Sequence, residues 1–172
     1  MIQQAAILCG GRGTRLGAIA ADTPKPLLPV GDGPFLDVLV FELARRGISK
    51  ILLLAGFHAL KIIDYAASTP LKARFGLEIV VSVERQPAGT GGALWHVRDQ
   101  LEDRFFLLDG DTWFDINLLA LAGQMPEDAS AYAVWTIRRG SGSSSWPTTV
   151  SSVSPSDRHS PGSGLISGGS MS

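Results

Sequence analysis

Residues 5–16 are Ala5-Ala6-Ile7-Leu8-Cys9-Gly10-Gly11-Arg12-Gly13-Thr14-Arg15-Leu16, an apolar run that passes directly into a glycine loop. The run has the length of a buried strand, and the glycines let the backbone approach a ligand closely. Successive N–H groups in such a loop can bind an anion, and the guanidinium of Arg15 suits phosphate oxygens. The pattern predicts a phosphate-binding turn after a first strand, although the loop alone also fits a plain glycine turn.

This loop departs from two well-known phosphate loops. No Gly-Lys-Ser/Thr ending follows it, so it is not a Walker A loop. Leu16 stands where the dinucleotide fingerprint has its third glycine.

Outward from this loop, strand and helix patterns alternate along the chain. Apolar runs predict further strands at 51–55, 77–83, 105–108 and 131–137, and helical spacing predicts helices over 35–46, 58–67 and 91–101. This alternation predicts an α/β fold, with a mainly parallel sheet and helices on both faces. Ligands of such sheets bind beyond the carboxyl ends of the strands, so we expect the site in the loops that follow strands.

Three of the later loops carry polar residues suited to phosphate chemistry. Prolines restrain the backbone on both sides of Lys25 in the segment 24–30, which makes that lysine a pre-positioned charge. The segment 84–92 follows a strand and opens a helix, and its Glu84 could bind a base edge. Asp111 follows another buried strand and is a natural Mg²⁺ ligand if phosphates lie nearby. Each of these loops in isolation also fits an ordinary connection.

Composition excludes several classes of protein. The chain has 172 residues, 45% apolar and 18% charged, with a net charge of −1. This length predicts one domain, and the balanced charge argues against nucleic-acid binding, which needs a basic face. No apolar run reaches 18 residues, so no membrane span is predicted. One cysteine and the lack of a basic signal-peptide region favour a cytoplasmic protein.

Together the four loops resemble the sugar-1-phosphate nucleotidylyltransferase family. The family signature, Gly-Gly-x-Gly-Thr-Arg-Leu followed by Pro-Lys-Pro-Leu-Leu-Pro-Val, stands here at 10–16 and 24–30, and the resemblance covers about residues 3–139. Residues 89–92 and 110–115 look most like the heptose- and mannose-1-phosphate guanylyltransferase branch. The resemblance implies a Rossmann-like fold of the nucleotide-diphospho-sugar transferase type.

The resemblance also implies a reaction and roles for individual residues. A nucleoside triphosphate, with GTP favoured, and a sugar 1-phosphate would give a nucleotide sugar and pyrophosphate, with Mg²⁺ as cofactor. By family correspondence Arg15 and Lys25 are catalytic, Asp111 holds the metal, and the nucleotide-binding residues are Gly10, Gly11, Gly13, Thr14, Glu84, Gly89, Thr90 and Gly91.

Two other functions remain open at this point. One is a nucleotide-binding regulatory relative without catalysis, which the presence of Arg15, Lys25 and Asp111 weighs against. The other is a cytidylyl- or molybdenum-cofactor-type nucleotidyltransferase, against which the segment 24–30 favours the sugar branch.

Composition changes abruptly after Arg139. Of the 33 residues in 140–172, 13 are serine, and only Asp157 and Arg158 are charged. Such a segment buries too little apolar surface to offset its ordering entropy, so we expect it to be irregular. We predict a nucleotide-binding portion of the transferase domain at 1–139 and a tail at 140–172. Because the family pattern stops there, we hypothesise that the C-terminal part is missing or frame-shifted, which would leave the catalytic apparatus incomplete.

Overall fold

The computed structural model describes residues 2–11, 14–84, 89–113, 117–123, 131–136 and 148–153. The strands are β1 Gln4–Leu8, β2 Pro29–Val30, β3 Gly33–Pro34, β4 Lys50–Ala55, β5 Glu78–Val83, β6 Phe105–Asp109, β7 Ala131–Thr136 and β8 Thr148–Val153. The α-helices are α1 Phe35–Ala44, α2 Ala59–Ser68, α3 Pro70–Phe75, α4 Gly89–His96 and α5 Leu118–Gly123. Two 3₁₀ turns separated by a kink at Gly17 span Thr14–Ala20, and short 3₁₀ helices lie at Lys25–Leu27 and Arg98–Gln100.

Six of these strands form one sheet in the order β5-β4-β1-β6-β7-β8. The first five strands run parallel to one another, and β8 is antiparallel to β7. In the centre, Ala6 pairs with Leu52 of β4 on one side and with Leu107 of β6 on the other. The prediction of a mainly parallel α/β sheet is therefore confirmed.

Apolar side chains alternate between the two faces of the sheet. Ala5 and Ile7 of β1 point to a core built with α1, α2, α3 and α5. Ala6 points to the opposite core, where Ala93 and Leu94 of α4 pack. Helices therefore cover both faces, as the continuous apolar strand runs require.

Several short elements were not predicted from the sequence. The hairpin β2–β3 joins the segment 24–30 to α1, and α5 follows the loop after β6. Helix α3 begins immediately after α2, because the Thr69 hydroxyl accepts from the Leu71 N–H at 3.4 Å and Pro70 occupies its first turn.

The expectation of an irregular tail is wrong for Thr148–Val153, which form β8. These residues are rich in β-branched side chains, and their pairing satisfies backbone groups that β7 would otherwise present at a sheet edge. The remaining tail residues lie outside the described part of the chain, and a domain boundary at 139 stays a prediction. Within the described ranges, no helix has the length and apolar character needed to cross a membrane.

Candidate functional site

The carboxyl ends of β1, β4, β5 and β6 meet at one edge of the sheet. Backbone hydrogen bonds continue the strand pairing into the loops there: Cys9 N–H to the Leu54 carbonyl at 2.8 Å, Glu84 N–H to the Ala55 carbonyl at 2.8 Å, and Gly110 N–H to the Leu8 carbonyl at 3.0 Å. Because the loops are held by the sheet itself, they bring residues from distant parts of the chain into one fixed arrangement.

Gly110 allows the segment 24–30 to pack against the turn after β6. A Cβ atom on Gly110 would lie 2.6 Å from the Leu8 carbonyl oxygen and 2.9 Å from Cγ of Pro26. No side chain fits at those distances, and Pro26 itself is buried. The contact fixes the backbone on either side of it, which places Lys25 beside Asp111.

Lys25 and Asp111 form an ion pair, with Nζ 2.8 Å from Oδ2. The side chains are 26% and 32% exposed, so the pair lies at the surface of the site and faces solvent. Burial works to raise the pKa of Asp111, but the hydrogen bond and charge of Lys25 outweigh it and lower that pKa. Two of the predicted site residues, far apart in sequence, are thus in direct contact.

Asp109 adds a second carboxyl group next to this pair. Burial, and then the negative charge of Asp111, raise the pKa of Asp109 above its ordinary value. The two carboxyl groups therefore have opposite tendencies, and Asp111 is the more strongly ionised of the two.

A second group of residues lies around the ends of β1, β4 and β5. A Cβ atom on Gly56 would lie 3.2 Å from both Cα and the carbonyl oxygen of Gly10. The Glu84 carboxylate lies over these two glycines, with Oε2 3.4 Å from a Cβ position on Gly10 and 3.6 Å from one on Gly56. Glycine at both positions lets the backbones approach each other and leaves room for the carboxylate.

One oxygen of this carboxylate is buried without a partner. Oε1 of Glu84 has no hydrogen-bond donor among the described residues. Burial raises the pKa of the Glu84 carboxyl group, while His96 acts in the opposite direction. A buried acceptor without a donor is unfavourable in the free protein, so it marks a place where a ligand donor would be stabilising.

The other predicted nucleotide-binding residues are placed in part. Gly11 is exposed, and no atom of the described residues lies within 4 Å of a Cβ position on it; Gly89, at φ +71°, begins α4 with Thr90 and Gly91 in its first turn. The backbone of Thr14 and Arg15 belongs to the first of the two 3₁₀ turns in Thr14–Ala20. Gly13 and the side chains of Thr14 and Arg15 lie outside the described residues.

The carboxyl groups of Asp109 and Asp111 fit a magnesium ion that binds together with phosphates. In the described part of the chain there is no cluster of three or more His, Cys, Asp or Glu side chains able to enclose a metal. Asp109 and Asp111 supply two carboxylates, and Mg²⁺ prefers one or two carboxylates together with phosphate oxygens and water.

Sequence reasoning missed some residues of this edge. Gly56 was not predicted, although a glycine directly after a buried strand is a signal that could have found it. Cys9, directly after β1, is a core residue that is 1% exposed. His58 is exposed, and its ring bonds to the Ala21 carbonyl, four residues before Lys25.

Comparison with known proteins finds relatives over about two thirds of this chain. The chain is 40% identical over 118 residues to the D-glycero-alpha-D-manno-heptose 1-phosphate guanylyltransferase of Campylobacter jejuni, covering 69% of this chain and 52% of that protein. It is 34% identical over 116 residues to the enzyme of the same name from Aneurinibacillus thermoaerophilus, covering 67% of this chain and 49% of that protein. The chain thus spans about half the length of these curated relatives.

A solved structure agrees with the fold. HddC from Yersinia pseudotuberculosis, complexed with GMP-PN, superposes with a TM-score of 0.68 at 26% identity, over 79% of this chain and 59% of that one. The sequence model of the family described as nucleotidyl transferase matches residues 4–144. This range includes both the group around Lys25 and Asp111 and the group around Glu84. The chain therefore belongs to the nucleotidyl transferase family.

Proposed function

We propose that this protein transfers a guanylyl group from GTP to a sugar 1-phosphate, forming a GDP-sugar and pyrophosphate. The observation that carries the proposal is the meeting of Lys25 and Asp111 at 2.8 Å, at the edge of the sheet where this fold class binds ligands. The heptose-1-phosphate guanylyltransferases at 40% and 34% identity support a heptose 1-phosphate as the acceptor.

The reaction needs positioning and charge neutralisation. A phosphate oxygen of the sugar 1-phosphate attacks the α-phosphorus of GTP, a new P–O bond forms, and the bond to the bridging oxygen breaks. Pyrophosphate leaves with that electron pair, so no covalent intermediate with the protein is required. The protein must hold two anions in line and stabilise the charge that develops.

Lys25 suits the second task because its position is fixed. Pro26 is buried against Gly110, and the Leu28 N–H donates to the Lys25 carbonyl at 3.0 Å. An ammonium group on such a restrained backbone can neutralise phosphate charge without first being ordered. We assign it to the phosphates near the reacting centre, and Arg15, with the amides around Gly11, to the phosphates of the nucleotide.

Asp111, with Asp109 beside it, would hold Mg²⁺. When bound, the ion would neutralise phosphate charge during the transfer. The low pKa of Asp111 keeps that carboxylate ionised and ready for a cation.

Glu84 supports guanine as the base. A carboxylate accepts two hydrogen bonds side by side, and guanine presents N1–H and N2–H donors on one edge. Oε1 of Glu84, which has no donor within the described ranges, is an acceptor of this kind, beside the glycines at the ends of β1 and β4. We assign Gly89, Thr90 and Gly91 to the same base site. The buried thiol of Cys9 suits the reducing cytoplasm as the compartment.

The proposal is tested with the full 172-residue chain. GTP, ATP, CTP and UTP are each titrated in the presence of Mg²⁺ by calorimetry, and pyrophosphate release is followed with heptose, mannose or glucose 1-phosphate. We expect GTP to bind most tightly and a heptose 1-phosphate to release pyrophosphate. Binding of GTP without turnover would favour the regulatory alternative, tighter binding of CTP would favour a cytidylyltransferase, and binding of none would contradict the proposal.

A further inference from the structure

We propose that His58 and Lys61, at the start of α2, are positioning residues that fix the backbone leading into Lys25. Their side chains bind three consecutive residues, Ala21, Asp22 and Thr23, which directly precede the segment 24–30. We name His58 and Lys61 the α2 clamp. The inference rests on the proposed function in so far as it concerns the phosphate role of Lys25.

His58 makes its contact from an unfavourable backbone conformation. It has φ +51° and ψ +40°, and it is the one non-glycine residue with positive φ in the described part of the chain. Its Nε2–H donates to the Ala21 carbonyl at 3.1 Å, and its ring packs on Phe57 with the centroids 3.9 Å apart. The left-handed region is unfavourable for residues with a Cβ atom, and such strain concentrates where a side chain must be aimed.

Lys61 adds two contacts one turn further along α2. Its Nζ donates to the Asp22 carbonyl at 2.5 Å and lies 3.5 Å from the Thr23 hydroxyl. The ammonium group therefore draws the last residues before Pro24 towards the helix. Together the two side chains of the α2 clamp bind three adjacent residues from one side.

The segment that is bound has little packing of its own. Gly17, Ala18, Ala21 and Asp22 are exposed, and Ile19 is 71% exposed. Ala20 is the buried member, at 2%. Since apolar burial contributes little here, polar contacts from α2 are left as the main tertiary restraint on the residues just before Pro24.

Lys25 is therefore held from two sides. On its C-terminal side, Pro26 packs on Gly110 and the Leu28 N–H donates to the Lys25 carbonyl. On its N-terminal side the α2 clamp fixes Ala21–Thr23. Without the α2 clamp, the backbone that leads into Lys25 would be free to move. The ammonium group of Lys25 would then leave the position in which it contacts Asp111.

Amide hydrogen exchange of the free, full-length chain is the direct test. In the double variant His58→Ala/Lys61→Met we expect the amides of residues 18–23 and of Lys25 to exchange about tenfold faster, as the loss of hydrogen bonds to a weakly packed segment predicts. Lys61→Arg, which keeps a donor and its charge, should restore most of the protection. Lys72→Met, an exposed lysine on α3, is the matched control and should leave these amides unchanged. Unchanged exchange in the double variant would overturn the proposal.

His58→Gly separates positioning from a contribution to global stability. Glycine relieves the positive φ but removes the side chain, so we expect an equal or higher melting temperature together with faster exchange of residues 18–25. A lower melting temperature with unchanged exchange would mean that His58 serves the stability of α2 instead.

GTP affinity then shows whether the α2 clamp acts through Lys25. The double variant should weaken GTP binding about tenfold in the wild-type chain and should have little further effect when Lys25 is already methionine. An equal effect in both backgrounds would show that the contacts act independently of Lys25. If the unaltered chain binds no GTP, the proposed function fails, and the exchange rates of the free chain still decide the positioning of residues 18–25.

Discussion

Pro26 lies so close to Gly110 that a Cβ atom added to the glycine would stand 2.9 Å from the proline Cγ. The residues directly beyond this contact, Lys25 and Asp111, are the two charged groups that meet at 2.8 Å. The ion pair is therefore set by the packing of its uncharged neighbours. The site is built on this backbone contact between two loops that are far apart in the chain.

Gly110→Ala should disturb both the fold and the site. The new Cβ atom would overlap the Leu8 carbonyl and Pro26, and overpacking of this kind costs about 1–3 kcal/mol. We expect a lower free energy of unfolding in urea and weaker GTP binding. Gly123→Ala in α5 is the control, because none of the described residues has an atom within 4 Å of its Cβ position. Equal effects of both substitutions would contradict the packing argument.

Lys25→Met and Asp111→Asn should separate the charge role from the metal role. Removing one preorganised electrostatic contact typically lowers a rate by about 10²–10³. We expect pyrophosphate release to fall by that order in both variants, and the Mg²⁺ concentration for half-maximal rate to rise only in Asp111→Asn. If the Mg²⁺ requirement is unchanged in that variant, Asp109→Asn is the next substitution to measure.

Glu84→Gln should weaken guanine binding and stabilise the free protein. The amide offers one acceptor and one donor, which no longer match the two donors of guanine but do match the N6–H donor and N1 acceptor of adenine. We expect GTP affinity to fall about tenfold and the ratio of ATP to GTP affinity to rise. Titration of both nucleotides by calorimetry gives this ratio, and an unchanged ratio would remove Glu84 from the base site.

The same carboxyl group should make stability depend on pH. Burial raises the pKa of Glu84, so its neutral form is favoured in the folded state. The neutral Glu84 carboxyl group therefore stabilises the folded state fully at a pH below the ordinary pKa of a glutamate. This stabilisation is lost as the pH rises through the raised pKa of Glu84. We expect this pH dependence to be smaller in Glu84→Gln, with a melting temperature about 2 °C higher at pH 7. Parallel melting curves from pH 4 to 8 for the two proteins measure the difference.

Gln4 stabilises the opposite end of the sheet. It is buried at 6% exposure, its Nε2 donates to the Gln100 carbonyl at 2.8 Å, and its Oε1 accepts from the Glu102 N–H at 2.7 Å. Gln4→Met keeps the volume but removes two half-buried hydrogen bonds, which costs about 1–3 kcal/mol. Urea unfolding measures this loss. Lys50→Met, which removes the nearby ion pair with Glu102, should leave the unfolding midpoint almost unchanged.

Much of the fold could be predicted because its strands are continuous apolar runs. Residues 51–55 and 105–108 are buried on both faces of a parallel sheet, so their pattern needs no partner to be recognised. The hairpin β2–β3 has two residues in each strand, and β8 lies within the serine-rich segment 140–172. Such strands are stabilised by the neighbouring strand with which they pair. Their own local sequence pattern therefore does not predict them.

The candidate site, like the fold, could be predicted only in part from local sequence. The residue types and spacing of the loops predicted that Lys25 and Asp111 take part, and the sheet brings them together. The close approach of Gly56 to Gly10 and the contacts of His58 depend on neighbouring strands and on the chain preceding Pro24. Contacts of this kind arise only when distant segments pack, so no single window of sequence contains them.

Cys9, the one cysteine of the chain, directly follows β1 at the edge of the sheet where the candidate site lies, and it is 1% exposed. Burial raises the pKa of its thiol, which suppresses the thiolate that alkylating reagents attack. A thiol reagent can therefore label the native protein only after β1 and its neighbours have separated. The labelling rate of Cys9 therefore measures how often the strands around β1 separate. Comparing this rate with and without GTP would measure how strongly the nucleotide stabilises this part of the sheet.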